Sequence, residues 1–144
     1  MPNDEHFRKL ERMYAAAPTN EYYAPDLKVG DGIAAVTIEI QQKFFHAAHA
    51  VHGSVYFKAL DDSAFFAANS LETEVFLLTT SFNIHLIRPV TEGRITAHGT
   101  LTERTGRVFF AESKLRDEKG NLIGTGAGTF MRSKLALAPD SGYA

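Results

Sequence analysis

The chain has 144 residues, 44% of them hydrophobic and 22% charged, and it contains no cysteine. This length supports one hydrophobic core, so we expect a single domain over residues 1–144. The formal net charge is -2 and the charged residues are interspersed, which excludes the basic stripe that nucleic-acid binding requires. The lack of cysteine excludes disulfides, thiolate metal sites and cysteine nucleophiles.

The N-terminal residues carry charges where a secretory signal would be apolar, and no later segment has roughly 18 uninterrupted apolar residues. We therefore expect a cytoplasmic protein with no membrane partner.

The first predicted element is a short amphipathic helix at residues 4–16, which we expect to cover or brace the domain. Its apolar residues recur at helical spacing, and Pro18 stops the helix. These apolar residues are Phe7, Leu10, Met13 and Tyr14.

The first predicted strand begins at Gly32 and ends near Gln42. β-Branched residues alternate with other residues over this range, which is typical of a strand with one buried face. A loop that carries several histidines follows it.

Residues 53–70 form the longest predicted helix. They contain no interior glycine or proline and are apolar on nearly every side. A helix that is apolar all round is buried all round, so this segment is predicted to be the central helix of the domain.

The remainder of the chain is predicted to form four strands. They lie at residues 75–88, 94–104 and 107–117, with a last strand that ends at Arg132. Consecutive strands with short connections favour an antiparallel meander, and the first strand would join it by crossing over the helix. We predict an α+β domain in which a curved antiparallel sheet of about five strands wraps around one helix. Residues 135–144 are predicted to be a mobile tail.

The central helix contains charges that a buried helix does not need. Asp62 lies one turn after Lys58 and can pair with it. The positions at i−4, i+3 and i+4 from Asp61 hold apolar residues, so an inward-facing Asp61 would be a desolvated carboxylate with a raised pKa, a candidate general base or nucleophile. The alternative is that Asp61 faces solvent or an interface and has no catalytic role.

The start of the same helix suggests an oxyanion site. A helix N-terminus offers unpaired N–H groups, and Gly53 would allow a substrate carbonyl to approach them. The alternative is that Gly53 is an ordinary helix-entry residue and His52 a loop histidine. Gly53 and Asp61 are separated by roughly 12 Å along one helix. If both act on one carbonyl, they come from two antiparallel helices of a dimer.

His46, His49 and His52 are evenly spaced, and this is the pattern that suggests a metal site. The spacing differs from the i, i+4 pair with an intervening glutamate found in helical zinc enzymes, and no nearby carboxylate completes a ligand set. We therefore predict no metal.

The segment His52-Gly53-Ser54, followed by Ala59-Leu60-Asp61-Asp62-Ser63-Ala64, resembles the signature of the PaaI-like hotdog thioesterases. In that family His-Gly-Gly opens the central helix, and an Ala-Asp-(Asp/Ser/Thr)-Ala segment follows about two turns later. The resemblance extends over roughly residues 32–132. It implies a hotdog fold, a homotetramer built from homodimers, and hydrolysis of a fatty or aromatic acyl-CoA without a further cofactor.

The resemblance also implies roles for individual residues. Asp61 would be the general base or nucleophile, the Gly53 N–H would polarise the thioester carbonyl, His52 would shape that site, and Thr79 would position water. Four further residues are expected to contact substrate. They are His46, Ser54, Phe57 and Phe65.

Two of these residues depart from the family pattern. An asparagine is common where this chain has His46, and the second glycine is here Ser54. Both changes lie at the predicted catalytic mouth, so they bear on substrate choice and rate. Five cations are candidates for the coenzyme A phosphates. They are Arg88, Arg104, Arg107, Arg116 and Lys134.

Two other functions are compatible with the same pattern. One is a non-hydrolytic acyl-CoA binding or sensing module, in which His46 and Ser54 have removed catalysis. The other is dehydration of a 3-hydroxyacyl thioester, in which His46 or His52 would be the catalytic histidine.

Overall fold

The structure is a computed structural model that describes residues 3–144. Within that range a long helix packs against one antiparallel sheet of six strands. The helices are α1 (Asp4–Ala16), α2 (Asn20–Tyr23) and α3 (Gly53–Asn69), with short 3-10 turns at Gln42–Phe44 and Pro139–Ser141. The strands are β1 (Asp26–Gly30), β2 (Ile33–Glu39), β3 (Val75–Leu86), β4 (Arg94–Arg104), β5 (Val108–Arg116) and β6 (Leu122–Ala136).

The predicted hotdog architecture is confirmed, with six strands in place of about five. The additional strand is β1, which pairs with β2 through a turn at residues 31–32. Its sequence signal is weak because only Leu27 and Val29 are buried, and polar residues occupy the alternate positions. Two buried residues are too few for a clear alternating pattern.

The order of strands in the sheet is β1-β2-β4-β5-β6-β3. The prediction that the last four strands form one simple meander is wrong, because β3 pairs with β6 and not with β4. Strand β4 has β2 on one side and β5 on the other, so no side remains for β3. Strand β3 therefore lies at the end of the sheet, with one edge unpaired within residues 3–144.

Helix α3 lies against the sheet, and most of its apolar residues are almost fully buried, among them Leu60, Ala64 and Ala67 at 0% exposure. Gly99 of β4 permits this close approach, since a Cβ there would lie 2.1 Å from the carbonyl oxygen of Ser63. Within residues 3–144, no helix is long and apolar enough to cross a membrane.

Helix α1 confirms the predicted N-terminal helix. It packs beside the core and places Leu10, Met13 and Tyr14 in contact with it. These residues recur at i, i+3 and i+4, the spacing of one helix face. Helix α1 thereby brings residues from the start of the chain next to α3.

The C-terminal segment follows β6, which continues beyond the predicted end at Arg132 to Ala136. Arg12 Nε donates to the carbonyl oxygen of Ala144 at 2.6 Å, and the Tyr143 hydroxyl lies 2.7 Å from His6 Nδ1. The predicted mobility of residues 135–144 stays a prediction, and these contacts with α1 would break if the segment moved.

Candidate active site

Asp61 lies in the middle of α3, half-buried, and faces strand β3. Its Oδ1 atom accepts a hydrogen bond from the Thr79 hydroxyl at 3.0 Å. Thr79 lies on the edge strand of the sheet and is exposed. The fold therefore brings together two residues that are distant in sequence and that we expected in one site.

Asp62, the next residue, is held quite differently. Its Oδ2 atom is 2.7 Å from Lys58 Nζ and accepts a hydrogen bond from the Tyr14 hydroxyl at 2.6 Å. The Lys58–Asp62 pair predicted from the i, i+4 spacing is thus present. Asp62 has a cation and a phenol as partners, whereas Asp61 has one hydroxyl.

Burial raises the pKa of Asp61 to about 6, and the negative charge of Asp62 adds to the increase. The Thr79 hydrogen bond and the charge of Lys58 oppose this shift without cancelling it. A carboxylate with a pKa of about 6 is ionised at neutral pH, yet it is a stronger base than an ordinary aspartate. Asp61 therefore has the proton affinity that general-base chemistry needs.

Burial also raises the pKa of Asp62, although Lys58 and Tyr14 both favour its charged form. Burial and the neighbouring Asp62 raise the pKa of the Tyr14 phenol, so Tyr14 stays a hydrogen-bond donor. The role of Tyr14 was missed from sequence because α1 and α3 are distant along the chain. A signal existed, since a tyrosine on a buried helix face requires a partner for its hydroxyl.

The N-terminus of α3 forms the second part of the candidate site. His52 caps the helix, and its Nδ1 atom accepts a hydrogen bond from the Ser54 N–H at 3.0 Å. Within residues 3–144, no acceptor takes the Gly53 N–H. This amide is a free donor at the positive end of the helix dipole.

A cleft of about 530 Å³ opens at Gly53. His46 and Arg88 line it, and Arg88 is exposed. The rings of His46 and His52 are 6.4 Å apart between centroids. In the described part of the chain, no group of three or more histidine, aspartate or glutamate side chains is placed to hold a metal ion.

Asp61 lines a different cavity, of about 770 Å³, between α1, α3 and β3. Gly53 is absent from the lining of this cavity, and Asp61 from that of the Gly53 cleft. The two residues are eight positions apart on a straight helix, or roughly 12 Å. One chain therefore does not place both residues on one carbonyl group.

Two of the four residues expected to contact substrate line one of these two cavities, and the other two line neither. His46 lines the Gly53 cleft, and Phe65 lines the Asp61 cavity. Ser54 is held by His52, its hydroxyl lying 2.9 Å from His52 Nδ1. Phe57 is 39% exposed and packs edge-to-face on Phe82, outside the lining of both cavities.

The candidate phosphate-binding cations differ in their partners and in their distance from the candidate site. Arg104 lies 3.6 Å from Glu72 and stacks on the Phe109 ring. Arg116 donates to a backbone carbonyl of its own hairpin. Arg88 lies at the cleft where the free Gly53 N–H is found, which makes it the best placed of the five cations.

A model of the Thioesterase superfamily matches residues 49–123. The match begins in the loop before α3 and ends in β6, so it includes the candidate residues His52, Gly53, Asp61 and Thr79. No curated protein matches the sequence.

Solved structures share the fold. The PaaI protein of Escherichia coli, from the phenylacetic acid degradation operon, superposes with a TM-score of 0.84 at 15% identity over 93% of this chain and 97% of that chain. A variant of the phenylacetic acid degradation protein PaaI from Thermus thermophilus gives 0.73 at 20% identity over 81% and 100%. A thioesterase from Haemophilus influenzae gives 0.75 at 15% identity over 83% and 85%. At these identities the likeness is one of fold, and with the family match it supports the PaaI-like resemblance.

Proposed function

The chain belongs to the thioesterase superfamily, and from this premise we propose that it hydrolyses the thioester of a medium-chain, long-chain or aromatic acyl-CoA. The observation that carries the proposal is the Asp61–Thr79 pair, a half-buried carboxylate with a raised pKa on the wall of a largely apolar cavity. The proposed reaction uses no metal and no cofactor beyond the coenzyme A of the substrate, and we place it in the cytoplasm.

In the proposed reaction, Asp61 takes a proton from a water molecule that attacks the thioester carbonyl carbon. The Thr79 hydroxyl fixes the carboxylate and positions the water. The carbonyl oxygen becomes an oxyanion, which accepts a hydrogen bond from the Gly53 N–H. The C–S bond then breaks, and the proton held by Asp61 passes to the departing sulfur, which leaves the free acid and coenzyme A.

A second version of the reaction begins with direct attack by Asp61. The carboxylate oxygen bonds to the carbonyl carbon, the C–S bond breaks, and the thiolate leaves. Water then hydrolyses the resulting anhydride and regenerates Asp61. Both versions require an ionised Asp61 and the same oxyanion donor.

The separation of Gly53 from Asp61 leads us to propose a site shared between two chains. Each oxyanion hole would come from one protomer and each carboxylate from the other, in a homodimer with antiparallel central helices. Strand β3 carries Thr79 and has one edge that no strand of residues 3–144 pairs with, which is a suitable surface for such an association. We further propose that homodimers associate into a homotetramer, as the family resemblance implies.

A non-hydrolytic acyl-CoA binding module is the second candidate, and one observation favours it. The His52 side chain occupies the Ser54 N–H, which removes one amide donor from the site of the oxyanion. If the remaining Gly53 N–H is insufficient, the protein would bind acyl-CoA without hydrolysing it.

The proposal is tested by thiol release from a panel of acyl-CoAs. The panel contains acetyl, hexanoyl, palmitoyl, phenylacetyl and benzoyl thioesters, and binding of each is measured in parallel by calorimetry. Hydrolysis of one or more members supports the thioesterase. Binding without release would replace it with the binding module.

A further inference from the structure

We propose that the cavity between α1, α3 and β3 binds the acyl group of the substrate, and that the last turn of α1 sets the length of acyl group it accepts. This inference rests on the proposed function and adds a binding site and specificity-determining residues to it.

The cavity is large enough for an acyl chain and is mostly apolar. Its volume is about 770 Å³, within the range of pockets that enclose small molecules. Three phenylalanine side chains line it, together with Met13 of α1. The phenylalanines are Phe65, Phe66 and Phe76.

The cavity also has the right position relative to the reacting groups. Asp61 and Thr79 both belong to its lining. A thioester carbonyl beside Asp61 therefore has its carbon chain at the entrance of this apolar space. An alkyl or aryl group that enters leaves water, and each methylene that it buries favours binding.

Charge determines which end of the substrate the cavity accepts. Among the described residues that line it, Lys58 is the single cation, and Asp62 pairs with it at 2.7 Å. Asp61 and Asp140 add negative charge to the same lining. Coenzyme A phosphates would be repelled here, whereas Arg88 is available at the Gly53 cleft. The cavity therefore suits an uncharged acyl group, and the nucleotide lies elsewhere.

Small side chains at the end of α1 form part of the cavity lining. Ala16 and Ala17 line it, and the C-terminal turn closes the same side through Gly142. A Cβ at Gly142 would lie 3.5 Å from the Ala16 Cβ, so the turn packs directly on the end of α1. A larger residue at position 17 would occupy space that a long acyl chain needs.

The test compares Ala17→Phe with Ala15→Phe, a matched control. Ala15 lies in α1 two residues before Ala17, is exposed and does not line the cavity. The measured quantity is the ratio of kcat/KM for palmitoyl-CoA to that for hexanoyl-CoA. We expect Ala17→Phe to lower this ratio about tenfold or more, since filling an apolar pocket discriminates on that scale. The control should keep the wild-type ratio.

Ala17→Leu is a smaller change and should lower the same ratio to a lesser degree, which covers the case in which Ala17→Phe does not fold. A wild-type ratio in a folded Ala17 variant would overturn the inference. A further comparison uses a long acyl-CoA whose acyl chain carries a carboxylate at its far end. It should be hydrolysed at least about tenfold less efficiently than palmitoyl-CoA, and equal efficiency would contradict the charge argument.

Binding of S-hexadecyl-CoA and S-hexyl-CoA thioethers separates this inference from the proposed function. These probes cannot be hydrolysed, so their relative affinities report on the cavity alone. If wild type releases no thiol while Ala17→Phe still lowers the affinity for the longer thioether selectively, hydrolysis is wrong and the acyl site stands. If Ala17→Phe binds each thioether with the same affinity as wild type does, the proposed acyl site is wrong even where hydrolysis is observed.

Discussion

The hydroxyl of Tyr14 in helix α1 donates a hydrogen bond to Asp62 in helix α3 at 2.6 Å. The N-terminal helix is therefore connected to the carboxylate next to Asp61. Asp62 also pairs with Lys58, so its charge is held in place beside the candidate catalytic group. Lys58 and Tyr14 favour the charged form of Asp62, whereas the described partner of Asp61 is the Thr79 hydroxyl, which leaves Asp61 available for chemistry.

The first prediction concerns pH. Asp61 must be ionised to act as a base or nucleophile, and its pKa is raised to about 6. We expect kcat/KM to rise with pH through about 6 and to level off above it. The charge of Asp62 contributes to the raised pKa. Asp62→Asn should therefore move the half-maximal point of kcat/KM to lower pH.

Glu92→Gln is the control for this shift, because it removes one negative charge from an exposed loop. Its pH profile should coincide with that of the wild type. An Asp62→Asn profile that keeps its half-maximal point, or moves it to higher pH, would contradict the coupling of the two aspartates.

Thr79 gives the second prediction. Its hydroxyl is the hydrogen-bond donor to Asp61 at 3.0 Å. Thr79→Val keeps the shape of the side chain and removes the donor, so kcat should fall about tenfold or more. Thr79→Ser keeps the hydroxyl and should retain most of the activity. Thr80→Val is the control, since the Thr80 hydroxyl bonds to Thr129 and not to Asp61. Equal activities of Thr79→Val and Thr79→Ser would exclude a role for the hydroxyl.

The third prediction concerns stability. Because the pKa of Asp61 is higher in the folded protein than in the unfolded chain, the protonated carboxyl favours folding at low pH. This contribution is lost as pH rises through about 6. Asp61→Asn should therefore be more stable than the wild type at pH 8, by about 1–3 kcal/mol, and the difference should vanish at about pH 3, below the ordinary pKa of an aspartate.

Urea unfolding at both pH values, at one protein concentration, measures this difference. Glu92→Gln should show no comparable gain at pH 8. An Asp61→Asn variant that is less stable than wild type at pH 8 would mean that burial of the ionised Asp61 carboxylate does not destabilise the folded protein.

The helices and strands could be predicted from the sequence better than the pairing of the strands in the sheet. Helix α3 and the unusual position of Asp61 followed from composition, because charges in an apolar helix are rare. The pairing of β3 with β6 did not follow, since the strands are far apart in sequence and the pairing depends on β2 occupying the side of β4. Local patterns carry no information on such competition for strand edges.

In the candidate site, too, contacts within one element could be predicted from local sequence patterns and contacts between distant elements could not. The Lys58–Asp62 pair could be predicted because both residues lie on one helix. The proximity of Thr79 to Asp61 was implied by the family resemblance, and the Tyr14–Asp62 hydrogen bond was not predicted at all. Both contacts depend on packing between distant elements, which helical spacing does not describe.

The fourth prediction tests the shared site. Asp61→Asn and Gly53→Val should each be inactive as homodimers. Position 53 is sensitive because even a Cβ there would lie 3.0 Å from Leu86 Cδ1, and the larger side chain would also obstruct the N–H. Mixed dimers would contain one intact site, so random reassembly should restore roughly a quarter of wild-type activity. Verified heterodimers with no recovered activity would indicate that both residues act within one chain or that one of them has no role.

The most direct test of the central claim is single-turnover thiol release by wild type and Asp61→Asn, on the best acyl-CoA of the panel. The affinity of each protein for the matching S-alkyl-CoA thioether is measured alongside. We expect Asp61→Asn to release thiol at least about a thousandfold more slowly, with its thioether affinity within a few fold of wild type. Thiol release at the wild-type rate by a folded Asp61→Asn variant would contradict the account, because the carboxylate would then have no part in the reaction.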